Sequence, residues 1–241
     1  PWTNIFNADY SYMNKRLADI YNISVNTDNN TFVKVDYPDE KRSGILAHGS
    51  YLSAFFDGKS IPLTKDIRRG INFYEKILCK SMPLPPPDVD IDLDPAADLE
   101  GCRIDKRKQS TTNPNGTCFQ CHQHFDRIGM GFERFNNLGE YREVQEDDNK
   151  CSTIQDFYLD GATKFSTMPA FADAVSKNSN VQRCLALKMK SYAYGSDVST
   201  AYVKPIFLEM DKFKTSMNFQ DLIVDIVTND QFAKREGRDE N

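Results

Sequence analysis

The pentapeptide Cys118-Phe119-Gln120-Cys121-His122 constrains this chain more than any other stretch. Two thiols three positions apart, with an imidazole directly behind them, form the pattern through which a c-type haem is attached. The thiols can bond to the two vinyl groups of one porphyrin, and the adjoining histidine then stands against the iron as its proximal ligand. A redox Cys-x-x-Cys pair calls for a βαβ setting, which the sequence around residue 118 does not offer. A structural zinc site wants a second ligand pair at matching spacing, and no second Cys-x-x-Cys or His-x3-His occurs. One haem c is therefore the expected cofactor, with Cys118 and Cys121 as its covalent anchors and His122 as its axial ligand.

Charge narrows the partners. The 241 residues carry 30 basic and 35 acidic side chains, a net charge of −5, with no basic stripe of the kind nucleic acid requires. No apolar run approaches the length of a membrane span, and no signal-like segment follows Pro1. Haem attachment of this type takes place outside the cytoplasm. The expected location is thus periplasmic or extracellular, in a bacterium, with an export signal removed or lying upstream.

The cysteines agree with that compartment. With Cys118 and Cys121 assigned to haem, Cys79, Cys102, Cys151 and Cys184 remain. An even remainder in an oxidising compartment predicts two disulfides, for which three pairings exist. Cys79 and Cys184 each sit on a strongly periodic core helix, which favours Cys79–Cys184 with Cys102–Cys151.

Hydrophobic periodicity makes the chain mainly α. Helices are predicted over 9–21 (Tyr10, Met13, Leu17, Ile20), 42–56, 66–80 (Ile67, Ile71, Tyr74, Leu78), 96–109 and 132–135. Further ones are expected over 169–177, with Ser166 or Thr167 as cap, and over 181–194, stopped by Gly195. The last two are placed near 204–213 and 218–234, where Asn218 starts the final one. Phe32-Val33-Lys34-Val35 reads as a short extended piece, and Pro83-Leu84-Pro85-Pro86-Pro87 as a polyproline strap. The division expected is 1–95, a helical region ending in the strap, and 96–241, a haem c domain with C-terminal helices. Alternate aspartates from Asp88 to Asp94 make a calcium site a candidate there. The register is not that of an EF-hand, because counting from Asp88 puts Leu93 where the loop glycine belongs. A solvated acidic loop is the simpler reading.

Five blocks in order carry a resemblance. They are Ala8-Asp9-Tyr10 with Asn14-Lys15-Arg16-Leu17-Ala18; Arg42-Ser43-Gly44-Ile45-Leu46; and Arg69-Gly70 with Leu78-Cys79 and Pro85-Pro86-Pro87. The fourth runs from Cys118 through Asp126, Gly129, Phe132-Glu133, Phe135, Gly139 and Tyr141-Arg142, and the last is Cys184-Leu185-Ala186 with Lys190 to Gly195. In that order they resemble the C-terminal part of the large exported c-type cytochromes of planctomycetes and myxobacteria, which are assembled from regions of unknown function. The resemblance implies a helical c-type cytochrome domain with long loops and added flanking helices, and a chain that ends a longer protein or joins other subunits. It brings no known reaction. Asp126-Arg127 stands where these proteins have Asp-Pro, and Thr64-Lys65-Asp66 replaces a common Thr-Ser-Pro. A histidine often found before the motif is missing around Gln109 to Thr112, so no ligand role can fall there.

The far face of the iron separates a carrier from a catalyst. Thr167-Met168-Pro169 is similar to the methionine loop of small class I cytochromes c, which makes Met168 the first candidate for distal ligand. His48 is the alternative, and Met130 or an open face comes next; His124 sits too near His122 to reach the opposite side. The function expected is single-electron transfer between a redox partner protein and an acceptor, within a longer protein or multi-chain assembly. A peroxidase-like or oxidative haem enzyme and a structural module of a surface assembly are the rivals.

Overall fold

The computed structural model describes residues 1–54, 66–85, 87, 99–111, 113–144, 150–153, 156–159, 163–195 and 210–233. The calcium candidate at Asp88–Asp94 lies outside them, as do residues 55–56 and the first part of the helix expected near 204–213. The described chain is mainly α, as its periodicity indicates, with two small antiparallel sheets. No helix among the described residues is long and apolar enough to cross a membrane.

The N-terminal part holds α1 (Asn4–Asn7), β1 (Tyr10–Met13), α2 (Lys15–Tyr21) and β2 (Val33–Asp36). The single helix predicted over 9–21 is thus a strand and a helix. Asn14 divides them: its Oδ1 accepts from the Leu17 amide at 3.0 Å, which starts α2, so Tyr10–Met13 is left to pair with β2. The extended reading near Val33 holds, with Met13 opposite Val33. Met13, Ala18 and Tyr21 form a small apolar cluster of their own.

The stretch from Arg42 is more broken than expected, a 3-10 turn at Ile45–Ala47 followed by α3 (Gly49–Leu52). Gly44 prevents a continuous helix: its φ is +47°, and a Cβ there would collide with the Phe6 carbonyl. The next helix, α4 (Asp66–Asn72), runs straight into a π-helical turn at Phe73–Ile77.

Beyond the strap come α5 (Arg103–Thr111), α6 (Phe119–His122) and α7 (Asp126–Gly131), then a 3-10 turn at Phe132–Arg134. A hairpin that the sequence did not announce, β3 (Phe157–Tyr158) and β4 (Lys164–Phe165), precedes α8 (Met168–Lys177) and α9 (Ser179–Tyr194). The first starts with Thr167 as cap, as expected, its Oγ1 accepting from the Ala170 amide; the second starts two residues ahead of the expected 181, where Asn178 Oδ1 accepts from the Asn180 amide. The described chain closes with α10 (Asp211–Ser216), α11 (Phe219–Val227) and α12 (Asp230–Ala233).

Four fully buried rings make the centre of the core. Phe73 leaves the π turn, Phe132 follows α7, Phe157 sits on β3 and Phe171 on α8. Five pairs among them have centroids 5.2 to 6.3 Å apart. Burying rings of this size contributes about 1.5–3 kcal/mol each. Trp2 and Phe213 meet at 6.4 Å, so α10 closes over the chain's beginning. The two disulfides pair as expected, Cys79 with Cys184 and Cys102 with Cys151, with Cα atoms 5.3 and 5.5 Å apart. The first ties the end of the π turn to α9, and the second ties the start of α5 to the segment before β3.

Candidate functional site

The residues leading into the motif form a tight turn. The Gly116 amide donates to the Asn113 carbonyl at 2.9 Å, and that of Asn115 to the Asn113 side chain at 3.1 Å. Cys118 then heads the single turn of α6, and the His122 amide donates back to the Cys118 carbonyl at 3.1 Å. The helical turn puts residues 118 and 121 side by side. Both are free thiols and half-buried, while the four other cysteines are oxidised in pairs.

His122 is held from behind. Its Nδ1 lies 2.9 Å from Asp126 Oδ1, one helical turn on, and its ring packs 5.0 Å from that of Phe125. Asp126 is buried, and its other oxygen accepts from the Thr111 hydroxyl at 2.5 Å. Thr111 is the last residue of α5, and its Oγ1 is also 2.9 Å from the Arg107 carbonyl. With the carboxylate as acceptor, Nδ1 carries the proton and Nε2 presents its lone pair outward. Metal-ligating histidines are commonly oriented in this way.

Below this chain lies a cluster of buried charges. Arg103 reaches Glu133 at 2.8 Å and Asp66 at 3.4 Å; Arg107 stands 3.7 Å from Asp66, and Arg142 2.9 Å from Glu133. Burial pushes the Glu133 carboxyl up to about 7, against the pull of Arg142 and Arg103. Arg69 is wholly buried, and its guanidinium donates to the carbonyls of Leu52, Phe132, Phe135 and Asn136. Burial draws it down to about 10, so it stays charged at neutral pH. Next to it, α4 crosses α7 backbone on backbone. A Cβ at Gly70 would strike the Phe125 carbonyl, and one at Gly129 that of Asp66. Only glycine permits that approach, and the crossing fixes the base from which Asp126 rises.

The strap passes over the motif, with the Pro83 carbonyl 4.0 Å from Cys121 Sγ. Leu84, the next residue of the strap, is an apolar side chain 90 % exposed. This donor set fits a c-type haem: two unpaired thiols for thioether bonds, Nε2 of His122 for the iron, and apolar surface for a porphyrin face. No cluster of three or more His, Cys, Asp or Glu side chains that could hold a bare metal ion occurs among the described residues.

The other candidates lie in different settings. Met168 is fully buried at the start of α8, its amide donating to the Glu40 carbonyl at 3.3 Å. It belongs to the main apolar cluster, against which Cys121 also packs. His48 caps α3 through Nδ1, which lies 2.8 Å from Ser50 Oγ and accepts from the Ser50 amide. Its ring meets that of Tyr21 edge-on at 6.2 Å, and burial pulls its pKa below the usual value. Met130 is buried within α7, and the ring of His124 lies 5.7 Å from that of Tyr74.

Three residues beside the motif were given no site role by the sequence. Asp126 stands four residues past His122, a helical spacing that signals the contact. Met82-Pro83 repeats the dipeptide Met168-Pro169, and it is Pro83 that meets Cys121. Thr111 gave no signal, since only the fold brings it to Asp126. No curated protein and no solved structure matches the chain. Residues 42–145, which hold the motif, the Asp126 network and the buried charges, match the family described as PSCyt3, a protein of unknown function (DUF1588).

Proposed function

We propose that this chain is an exported mono-haem c-type cytochrome that passes single electrons to and from a redox partner, as part of a longer protein or a multi-chain assembly. The observation that carries this reading is the contrast among the cysteines. Cys118 and Cys121 stay free and half-exposed beside an imidazole tied at Nδ1, while all other cysteines are in disulfides. The disulfides are compatible with an oxidising compartment, and the matched family's short name, PSCyt3, points toward a cytochrome. Haem c would supply the one-electron couple, with Cys118 and Cys121 holding the porphyrin and His122 the iron.

The distal position is proposed for a thioether. Met168 lies in the same apolar cluster that Cys121 packs against, whereas Met82 comes in on the strap that touches the motif. His48 is committed to capping α3. A second reading, a haem enzyme with an open distal face, draws on the Asp126 carboxylate, because such a partner raises the basicity of the histidine behind the iron.

Material from an export-competent host decides the matter. After denaturation and acid acetone, haem mass should stay on the peptide bearing Cys118 and Cys121, and its loss would overturn the proposal. A reduced spectrum unmoved by carbon monoxide would then support the carrier over the enzyme.

A further inference from the structure

We infer that Asp126 is a positioning residue that sets the redox potential of this site, holding it low through a fixed negative charge behind His122. The inference rests on the haem reading above and goes beyond it, since the motif alone says nothing of potential.

The geometry is that of a relay with one direction. Thr111 Oγ1 lies 2.5 Å from Asp126 Oδ2, and Asp126 Oδ1 lies 2.9 Å from His122 Nδ1. Asp126 is 2 % exposed, so water screens its charge poorly. An ionised carboxylate can only accept, which assigns the Nδ1 proton to His122 and the hydroxyl proton to Thr111. Nε2 is then the ligating atom, and it is made more electron-rich by the charge behind it.

With haem c held by Cys118, Cys121 and His122, loss of one electron to a one-electron acceptor would add a positive charge next to the imidazole. No bond to His122 forms or breaks, and its Nδ1 proton stays in place. The Asp126 charge stabilises the oxidised form more than the reduced one, so the equilibrium leans toward ferric iron. A neutral acceptor at the same place would orient the ring as well but would not lean the equilibrium. Methionine on the far face would raise the potential, and Asp126 works against it.

Asp126→Asn separates charge from shape. The carboxamide oxygen of the variant would still accept from Nδ1, and its NH2 could donate to Thr111 Oγ1, whose own proton can turn to the Arg107 carbonyl. Potentiometric titration of the purified holoprotein should show the ferric-to-ferrous ratio at a given potential falling about tenfold, an upward shift of about 59 mV. Thr111→Val should act in the opposite sense, because removing a donor from Oδ2 leaves more charge facing His122, by about two- to threefold toward ferric. Asp126→Glu, which keeps the charge, should return most of the effect. A merely structural role would not give shifts of opposite sign.

Equal potentials in wild type and Asp126→Asn would overturn this inference while leaving covalent haem, and hence the haem reading, intact. If Asp126→Asn fails to take up haem, Thr111→Val decides alone, and an unmoved or raised potential there overturns the inference. A wild-type chain that carries no covalent haem overturns both.

Discussion

Arg69 is where the structure makes its most severe claim on stability. The side chain is 0 % exposed and makes five hydrogen bonds to four carbonyls, those of Leu52, Phe132, Phe135 and Asn136. Three of these carbonyls belong to the turn that follows α7, and the fourth ends α3. Replacing Arg69 by Met keeps most of the volume and removes all five bonds, although the Phe132 and Asn136 carbonyls keep the Phe135 and Gly139 amides as donors. Hydrogen bonds to a charged group are worth about 1.5–3 kcal/mol each, but bonds to one residue do not add, so a simple sum overshoots. Removing one partner from a buried charged network costs about 3–5 kcal/mol, and that is the loss expected here. It would take a large part of the roughly 5–15 kcal/mol that holds a domain folded. Arg69→Lys should recover only part, because one ammonium has three protons and a different shape. The assay is denaturant unfolding under oxidising conditions, followed by far-UV circular dichroism and read as a midpoint shift at constant slope. A loss below about 1 kcal/mol for Arg69→Met would refute the reasoning, since a buried donor of five hydrogen bonds cannot be removed with so small an effect.

Two further predictions concern pH and the iron's far face. Burial raises the folded-state pKa of Glu133 from 4.5 to about 7, so its contribution to stability is complete below about pH 4.5 and is lost as pH rises through 7, by about 3 kcal/mol. Glu133→Gln should flatten that slope, and equal slopes in the two proteins would remove the claim. Met168→Ala and Met82→Ala should differ in both readouts: the ligand's variant turns the haem high-spin or open to cyanide, while Met168→Ala costs about 2–5 kcal/mol in either case because its side chain is fully buried. His48→Ala should cost only a cap, about 0.5–2 kcal/mol, and leave the spectrum unchanged. A spectrum moved by His48→Ala and by neither methionine would make this a bis-histidine site.

What the sequence revealed follows the range of the forces involved. Helix α9 was legible at its end and within two residues at its start, because an apolar stripe and Gly195 in the left-handed conformation are local signals, whereas its Asn178 cap was not read. The disulfide pairing was legible because only Cys79 and Cys184 stood on strongly periodic helices. The stretch 9–21 misled because Tyr10 and Met13 stand at a helical spacing that continues into Leu17 and Ile20, and the choice of strand was made by β2, twenty residues on. The hairpin of β3 and β4 left no trace, since two pairs of residues are too short for a pattern.

The site divides along the same line, and the division explains how its parts depend on each other. Cys118, Cys121 and His122 announce themselves because they stand at the spacing that thioether attachment of a haem would require. What orients His122 is spread over three segments. Asp126 comes from α7, whose seat against α4 needs glycine at 70 and at 129. Thr111 comes from α5, a polar helix that has little apolar surface to dock with. That helix is instead held by its ends and its charges. Cys102 bonds to Cys151 just before its first residue, and Arg103 and Arg107 reach Asp66 and Glu133 from its first and second turns. Buried ion pairs add little net stability over a well-packed apolar contact, but they tolerate only one arrangement, because an arginine displaced by a turn leaves a carboxylate bare. For α5 that selectivity is the useful property. A helix bound by apolar packing could slide or rotate at small cost, whereas one bound through Arg103 and Arg107 brings Thr111 to the same place, 2.5 Å from Asp126. The charges that look like a liability in the core therefore set the register of the hydrogen bonds behind the His122 imidazole.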